Sequence, residues 1–170
     1  FIGSPMFIPD KQIKKPHAII WAFDSLRSDD LGCYGSPYGH SPTLDQLSRQ
    51  GIQFSESLCS SSWTVPGVRN MLAGMLTQKY VNEDARLTSC KEFEIPSIHA
   101  EYAKAGYTTI CISANHLLSP DQGFEKGFDI LDTQASIDWT NGSGEQLYYR
   151  IHELITQYGD RPLFLYIHAM

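Results

Sequence analysis

Ile19-Ile20-Trp21-Ala22-Phe23-Asp24-Ser25-Leu26-Arg27, continuing to Gly35, begins as an unbroken apolar run the length of one strand and stops at a carboxylate. Bulky β-branched and aromatic residues without polar alternation suit a strand buried on both faces, as in a parallel sheet. The predicted strand is His17–Asp24. A carboxylate at the carboxyl end of such a strand lies where open α/β sheets place their sites, in the crevice beyond the strand ends. A bare Asp there is costly unless a cation or hydrogen-bond donors compensate it. Asp24 therefore reads either as a metal ligand or as a cap on the following turn.

Outward from this strand the pattern repeats, with helices between. Ser41-Pro42 opens a helix that runs to Gly51, with Pro at its first position and Gly at its end. Ile52-Gln53-Phe54 alternates like a short strand, and Ile95–Gly106 reads as a helix with Pro96 in its first turn. Thr108–Ser113 is a β-branched strand and Phe128–Leu131 a shorter one. Glu145–Tyr158 carries Leu147, Ile151, Leu154, Ile155 and Tyr158 at helical spacing. Pro162–Met170 returns to buried-strand composition through Leu163-Phe164-Leu165-Tyr166-Ile167. Strands alternating with helices predict an α/β fold with a mostly parallel sheet and helices on both faces. Phe1–Lys15 reads as an extended lead-in, and Gln78–Lys91 and Thr133–Gly144 as polar loops. Asn141-Gly142-Ser143 in the last of these matches a glycosylation acceptor but reads as a turn.

Two further places carry chemistry. Ser60-Ser61-Ser62-Trp63-Thr64-Val65-Pro66-Gly67 is a hydroxyl-rich loop running straight into a helix marked by Val65, Val68, Leu72 and Met75. Thr64 lies at the amino end of that helix, beside free backbone N–H groups and the positive end of the dipole. Its hydroxyl is placed as a nucleophile toward a phosphate or sulfate, or as an ordinary N-cap. His116, after Ala114-Asn115, falls at the same strand-end level as Asp24 and reads as a site residue or a hydrogen-bonded structural histidine.

The chain of 170 residues, 42% hydrophobic and 12% aromatic, is long enough for one domain with a real core. With 13 basic against 19 acidic residues and no basic block, a nucleic-acid partner is not expected. Cys33, Cys59, Cys90 and Cys111 are scattered, which is neither a zinc spacing nor a disulfide framework, so they read as free thiols. No apolar run is long enough to span a bilayer.

Three stretches together resemble the sulfatase family of the alkaline-phosphatase superfamily. The first is Asp24-Ser25-Leu26-Arg27-Ser28-Asp29-Asp30-Leu31-Gly32-Cys33-Tyr34-Gly35 with Ser41-Pro42-Thr43-Leu44-Asp45. The second is Ser61-Ser62-Trp63-Thr64-Val65-Pro66-Gly67 with Met71-Leu72-Ala73-Gly74. The third is Ala105-Gly106-Tyr107-Thr108-Thr109 with Gly123-Phe124-Glu125-Lys126-Gly127-Phe128-Asp129. The resemblance implies an alkaline-phosphatase-like fold and a divalent cation, calcium first, with manganese or zinc as alternatives. Asp24 and Thr64 would bind that cation, Thr64 would be the nucleophile, and His116 would contact the departing ester group. The substrate implied is a small-molecule or glycan sulfate or phosphate ester.

The sequence departs from the family pattern at four places. Ser25 stands where many members have a second acidic ligand, and Ala114 where a Lys precedes the histidine. Thr64 replaces the Cys or Ser that members oxidise to formylglycine; its methyl group blocks that route, and a Thr hydroxyl beside a metal suits attack on phosphorus. Cys59, in the same loop, lacks the x-Pro context of Thr64 and is expected to stay an unmodified thiol. Val68 stands at the place of the Arg that supports the aldehyde, and Arg69, one position on, becomes the candidate substrate contact. Further family ligands lie beyond the strand that ends at Met170. Residues 1–170 are therefore expected to be the amino-terminal portion of a single catalytic domain, incomplete at its C-terminus and inactive alone, with the remainder of that domain as its partner. The competing expectation is a non-catalytic binding or scaffold domain that keeps the fold.

Overall fold

The computed structural model describes residues 15–76, 97–136 and 144–170. The apolar runs form four strands, β1 (Ala18–Phe23), β2 (Thr108–Ser113), β3 (Ile130–Asp132) and β4 (Leu163–Ala169). They pair in the order β1-β4-β2-β3, and every pairing is parallel. The last strand thus inserts between the first and second, and all 7 of its residues are buried. A strand with neighbours on both edges and helices on both faces needs apolar side chains throughout, and 163–167 supplies them.

Four helices accompany the sheet: α1 (Pro42–Gln50), α2 (Thr64–Ala73), α3 (Ile98–Lys104) and α4 (Gly144–Tyr158). The alternation of β4 sorts its residues between two cores. Leu163, Leu165 and Ile167 join Ile110 and Ile112 under Leu147 and Leu154 of α4, with Ile151 and Tyr158 beside them. Phe164 and Tyr166 join Cys111 under Val65, Val68 and Leu72 of α2, with Tyr102 of α3 against the same cluster. Helices therefore cover both faces, as expected.

β1 differs from its expectation. Ala18, Ile20 and Ala22 pack against the α2 side, but Ile19, Trp21 and Phe23 are 55%, 51% and 43% exposed. Among the described strands β1 lies at the edge, and α4 packs mainly over β2 and β4. Ile52-Gln53-Phe54 is not a strand: Ile52 and Phe54 are exposed, and no strand among the described residues pairs with them. Instead the Tyr34 hydroxyl donates to the Phe54 carbonyl at 2.7 Å, and the Gln53 amide donates to the Cys33 carbonyl at 2.8 Å. The expected loop 78–91, the start of the third helix at 95–96, Cys90 and the Asn141 acceptor lie outside the described residues.

The motif Gly32 to Asp45 proves structural. Ser41 precedes Pro42, and Asp45 sits in the first turn of α1. Asp45 Oδ1 accepts from the Cys33 N–H at 2.8 Å and from the Ser41 hydroxyl at 2.9 Å, while Ser41 Oγ accepts from the Gly32 N–H at 2.8 Å. These bonds tie the loop after β1 to α1.

Candidate active site

The Asp24 N–H donates to the Ala169 carbonyl at 2.9 Å, carrying the β1–β4 ladder one residue past the strand. The chain then turns at Ser25, whose φ of 59° lies in the left-handed region that non-glycine residues seldom adopt. The Asp24 carboxylate is thereby held at the carboxyl edge of the sheet, where three other elements meet it. Thr64 Oγ1, the first residue of α2, donates to Asp24 Oδ2 at 2.9 Å. The Asn115 amide, just past β2, donates to the same oxygen at 2.8 Å. His168 Nε2, near the end of β4, lies 3.2 Å from it. Among the described residues, Asp24 Oδ1 meets the Ser25 hydroxyl alone, at 3.3 Å.

These contacts bear on the N-cap alternative for Thr64. Trp63 occupies the N-cap position of α2, and no side chain caps that helix. The Thr64 hydroxyl is directed at Asp24 rather than at a backbone N–H, so the ordinary N-cap reading is not what the structure shows. Thr64 remains at the positive end of the α2 dipole, beside backbone N–H groups without intrahelical acceptors.

Electrostatics follow from the same geometry. Burial alone would raise the Asp24 pKa, but the donors His168, Thr64 and Asn115 outweigh it and hold the carboxyl below its usual 3.8. Burial lowers the His168 pKa below its usual 6.5, against the opposing pull of the Asp24 hydrogen bond, and so favours the neutral ring. The contact to Asp24 is then a hydrogen bond rather than an ion pair. Tyr166, fully buried and 2.8 Å from His168 Nδ1, has its phenol pushed well above the usual range, chiefly by burial, with the Asp24 charge adding to it.

Asp24, Thr64 and His168 line an open cleft of about 1030 Å³ whose other walls include the 57–63 loop, Met71 and Met75. Cys59 is part of that wall. Asp24 and Thr64 offer this cleft two hard oxygen donors; among the described residues no cluster of three or more His, Cys, Asp or Glu forms a complete metal site. His116 is exposed, and it is Asn115, one residue earlier and 3% exposed, that reaches Asp24. Arg69 lies elsewhere. Its guanidinium donates to the Gln122 carbonyl and sits 5.4 Å over the Phe124 ring, in a separate cavity of about 100 Å³ shared with His99. Asn115 and His168 are thus the site residues that the sequence reading missed.

The strand ends of the parallel sheet thus gather a carboxylate, a helix-terminal hydroxyl, an amide and a histidine. In fold, a protein in the alkaline phosphatase superfamily from Vibrio parahaemolyticus matches 92% of this chain with a TM-score of 0.69 at 20% identity, over 40% of its own length. The sulfatase family model matches residues 16–170, and the chain belongs to that family. An N-acetylgalactosamine-6-O-sulfatase of Bacteroides thetaiotaomicron is 33% identical over 129 residues, covering 73% of this chain and 25% of its own. A protein solved with its substrate D-glucosamine-2-N,6-O-disulfate matches 92% of this chain and 34% of its own, with a TM-score of 0.70 at 18% identity. The chain therefore spans a quarter to two-fifths of the length of these relatives.

Proposed function

We propose that the chain is the amino-terminal portion of the catalytic domain of a hydrolase of sulfate or phosphate esters, with Thr64 as nucleophile. The observation that carries this reading is the 2.9 Å hydrogen bond from Thr64 Oγ1 to Asp24 Oδ2 on the cleft wall. It aims the hydroxyl proton at a carboxylate and leaves the oxygen lone pairs toward the cleft. Thr64 Oγ attacks the sulfur or phosphorus as its proton passes to Asp24 Oδ2. The bond to the leaving oxygen breaks with its electron pair on that oxygen, which takes a proton from water to depart as the alcohol, and a further water later hydrolyses the Thr64 ester. N–H groups at the start of α2 stabilise the anionic group during attack. Thr64, which cannot become formylglycine, favours the phosphorus ester of the two.

A divalent cation, calcium first by family resemblance, fits this site as one edge of an oxygen-ligand shell. Asp24 Oδ1, with a single long contact among the described residues, and Thr64 Oγ1 would hold it; water, substrate and residues elsewhere would complete the about six to eight oxygens calcium takes. When bound it would lower the hydroxyl pKa and hold the ester oxygens. Asn115 and His168 keep the carboxylate in place from its other oxygen. His116 and Arg69, which stand outside the cleft lining, would reach an ester only through rearrangement, and Thr64 and Asp24 bear the main role. The remainder of the domain packs on the open face of β1, where Ile19, Trp21 and Phe23 await cover.

The test is turnover of aryl phosphate and aryl sulfate esters with added Ca²⁺, Mn²⁺ or Zn²⁺, measured on the longest polypeptide that carries these residues. Thr64→Ala should lower turnover by about three orders of magnitude or more, far beyond the loss a capping change explains. Thr64→Ser should keep phosphoesterase activity, and a chelator should abolish it. Near wild-type turnover in folded Thr64→Ala protein would leave the scaffold reading in its place.

A further inference from the structure

We infer that Tyr166 and His168 form a positioning relay for the Asp24 carboxylate, holding Oδ2 so that Oδ1 is the oxygen presented to a cation. The inference rests on the reading of Asp24 as a cation ligand. Residues two apart on a strand share a face, and Tyr166 and His168 both lie on the α2 side of β4, the side that borders the cleft. The chain Tyr166 Oη, His168 Nδ1, His168 Nε2 and Asp24 Oδ2 is continuous, with contacts of 2.8 Å and 3.2 Å.

Proton accounting fixes its direction. A carboxylate only accepts, so Nε2 carries the proton that it directs to Oδ2. The Tyr166 hydroxyl is 0% exposed, and among the described residues Nδ1 is its one hydrogen-bond partner. A buried O–H needs an acceptor, and the Nδ1 lone pair supplies it. The neutral ring is therefore the Nε2–H tautomer, held by the Asp24 carboxylate at one nitrogen and by the Tyr166 hydroxyl at the other. In that tautomer Nε2 has no lone pair for a metal, so His168 is excluded as a ligand and retained as a donor.

The amide of Asn115 is oriented by the same kind of constraint. Its Oδ1 accepts from the Leu117 N–H at 2.9 Å, which leaves Nδ2 to donate to Asp24 Oδ2. With His168, Asn115 and Thr64 all on Oδ2, the carboxylate cannot swivel without breaking several bonds. Oδ1, contacted among the described residues only by Ser25 at 3.3 Å, stays open. Outer partners of metal ligands act in this way, and their loss costs about 10–100-fold in affinity or activity.

Long-range ¹H–¹⁵N correlation spectra of the imidazoles give a readout that a merely structural role would not move, with His168 assigned by its absence in His168→Gln. The expected wild-type pattern is protonated Nε2 and bare Nδ1, lost or mixed in Tyr166→Phe. Calorimetric titration with Ca²⁺ and Mn²⁺ should show Kd weakened about 10-fold or more in Tyr166→Phe and His168→Ala. His168→Gln, which keeps a nitrogen donor near the Nε2 position, should recover most of that loss. Tyr166→Phe keeps the buried ring and carries the test if His168→Ala fails to fold. A wild-type Nδ1–H tautomer, or an unchanged cation affinity in folded Tyr166→Phe, would overturn the relay. A wild-type protein that binds no cation would instead remove the cation reading, with the tautomer still deciding the relay, while Thr64→Ala turnover judges the nucleophile separately.

Discussion

Cys111 and His99 show how burial sets chemistry one side chain at a time. Cys111 is 1% exposed on β2, and burial, followed by the Asp132 charge, pushes its thiol up to about 12. Cys59 is exposed, its thiol donating to the Ser61 carbonyl at 2.9 Å. Because the thiolate is the reactive form, iodoacetamide at about pH 8 should alkylate Cys59 and spare Cys111 until the chain is denatured; peptide mass spectrometry reads the two sites apart. His99 is 6% exposed, stacked 4.0 Å from Phe128, with Nε2 3.1 Å from the Lys126 carbonyl and Nδ1 without a partner. Burial lowers its pKa below the usual 6.5, with the Lys126 carbonyl pulling the other way. The other charged groups lining its cavity, Arg69 and Lys126, are cations that give a protonated ring no support. The unfolded chain binds a proton that the folded ring resists, so the stability this neutral ring contributes is present above 6.5 and is lost as pH falls below it. The drop in melting temperature from about pH 7.5 to about pH 5.5 should be smaller in His99→Gln than in wild type; an equal drop would contradict the burial argument.

Where whole elements are concerned, Gly127 ties the turn before β3 to α3. Its φ of 85° is left-handed, and a Cβ there would lie 2.9 Å from the His99 ring. Gly127→Ala should therefore cost about 2 kcal/mol in thermal or denaturant melts, from backbone strain and displacement of that ring. A neutral result would mean that the turn relaxes freely. The elements themselves were readable where one period dominated: β2, β4 and α4 appear within a residue or two of their predicted bounds. Ile52–Phe54 misled because three alternating residues carry no information about whether a partner strand exists. Of the site, Asp24 and Thr64 were legible because a carboxylate ending an apolar run and a hydroxyl opening a helix are local signals. Asn115 was hidden by a turn in which Ser113 Oγ accepts from the Asn115 N–H at 3.0 Å and donates to its carbonyl at 2.9 Å. That turn decides which of three consecutive residues points inward, and periodicity ends with the strand. His168 left a usable sign, a polar residue at the end of a buried strand two positions after Tyr166, by the same logic that marked Asp24.

For the molecule as a whole, the asymmetry of the sheet is the feature that the described residues leave unbalanced. β3 closes one edge as a short strand, while β1 exposes both its edge and an apolar stripe in which Trp21 stacks on Phe23 at 5.9 Å and 9°. Through the register Ile19 to Leu165 and Trp21 to Ile167, that stripe continues the α4-side core beyond the strands over which α4 mainly packs. An open, apolar edge strand invites association unless something covers it. Asp24 follows the end of this strand, so whatever covers the face would also border the site. If the rest of the catalytic domain lies there, one substitution should have opposite consequences in two polypeptides. In residues 1–170 alone, Trp21→Lys replaces an exposed ring on an edge, so it should raise solubility, suppress concentration-dependent association and shift stability by no more than about 0.5 kcal/mol. In a polypeptide as long as the relatives, the same lysine would be buried without a partner and should destabilise by about 2 kcal/mol or more. Sedimentation of the first and thermal melting of the second measure the two effects, and a longer polypeptide that tolerates Trp21→Lys would show that the β1 face is not where the remainder packs.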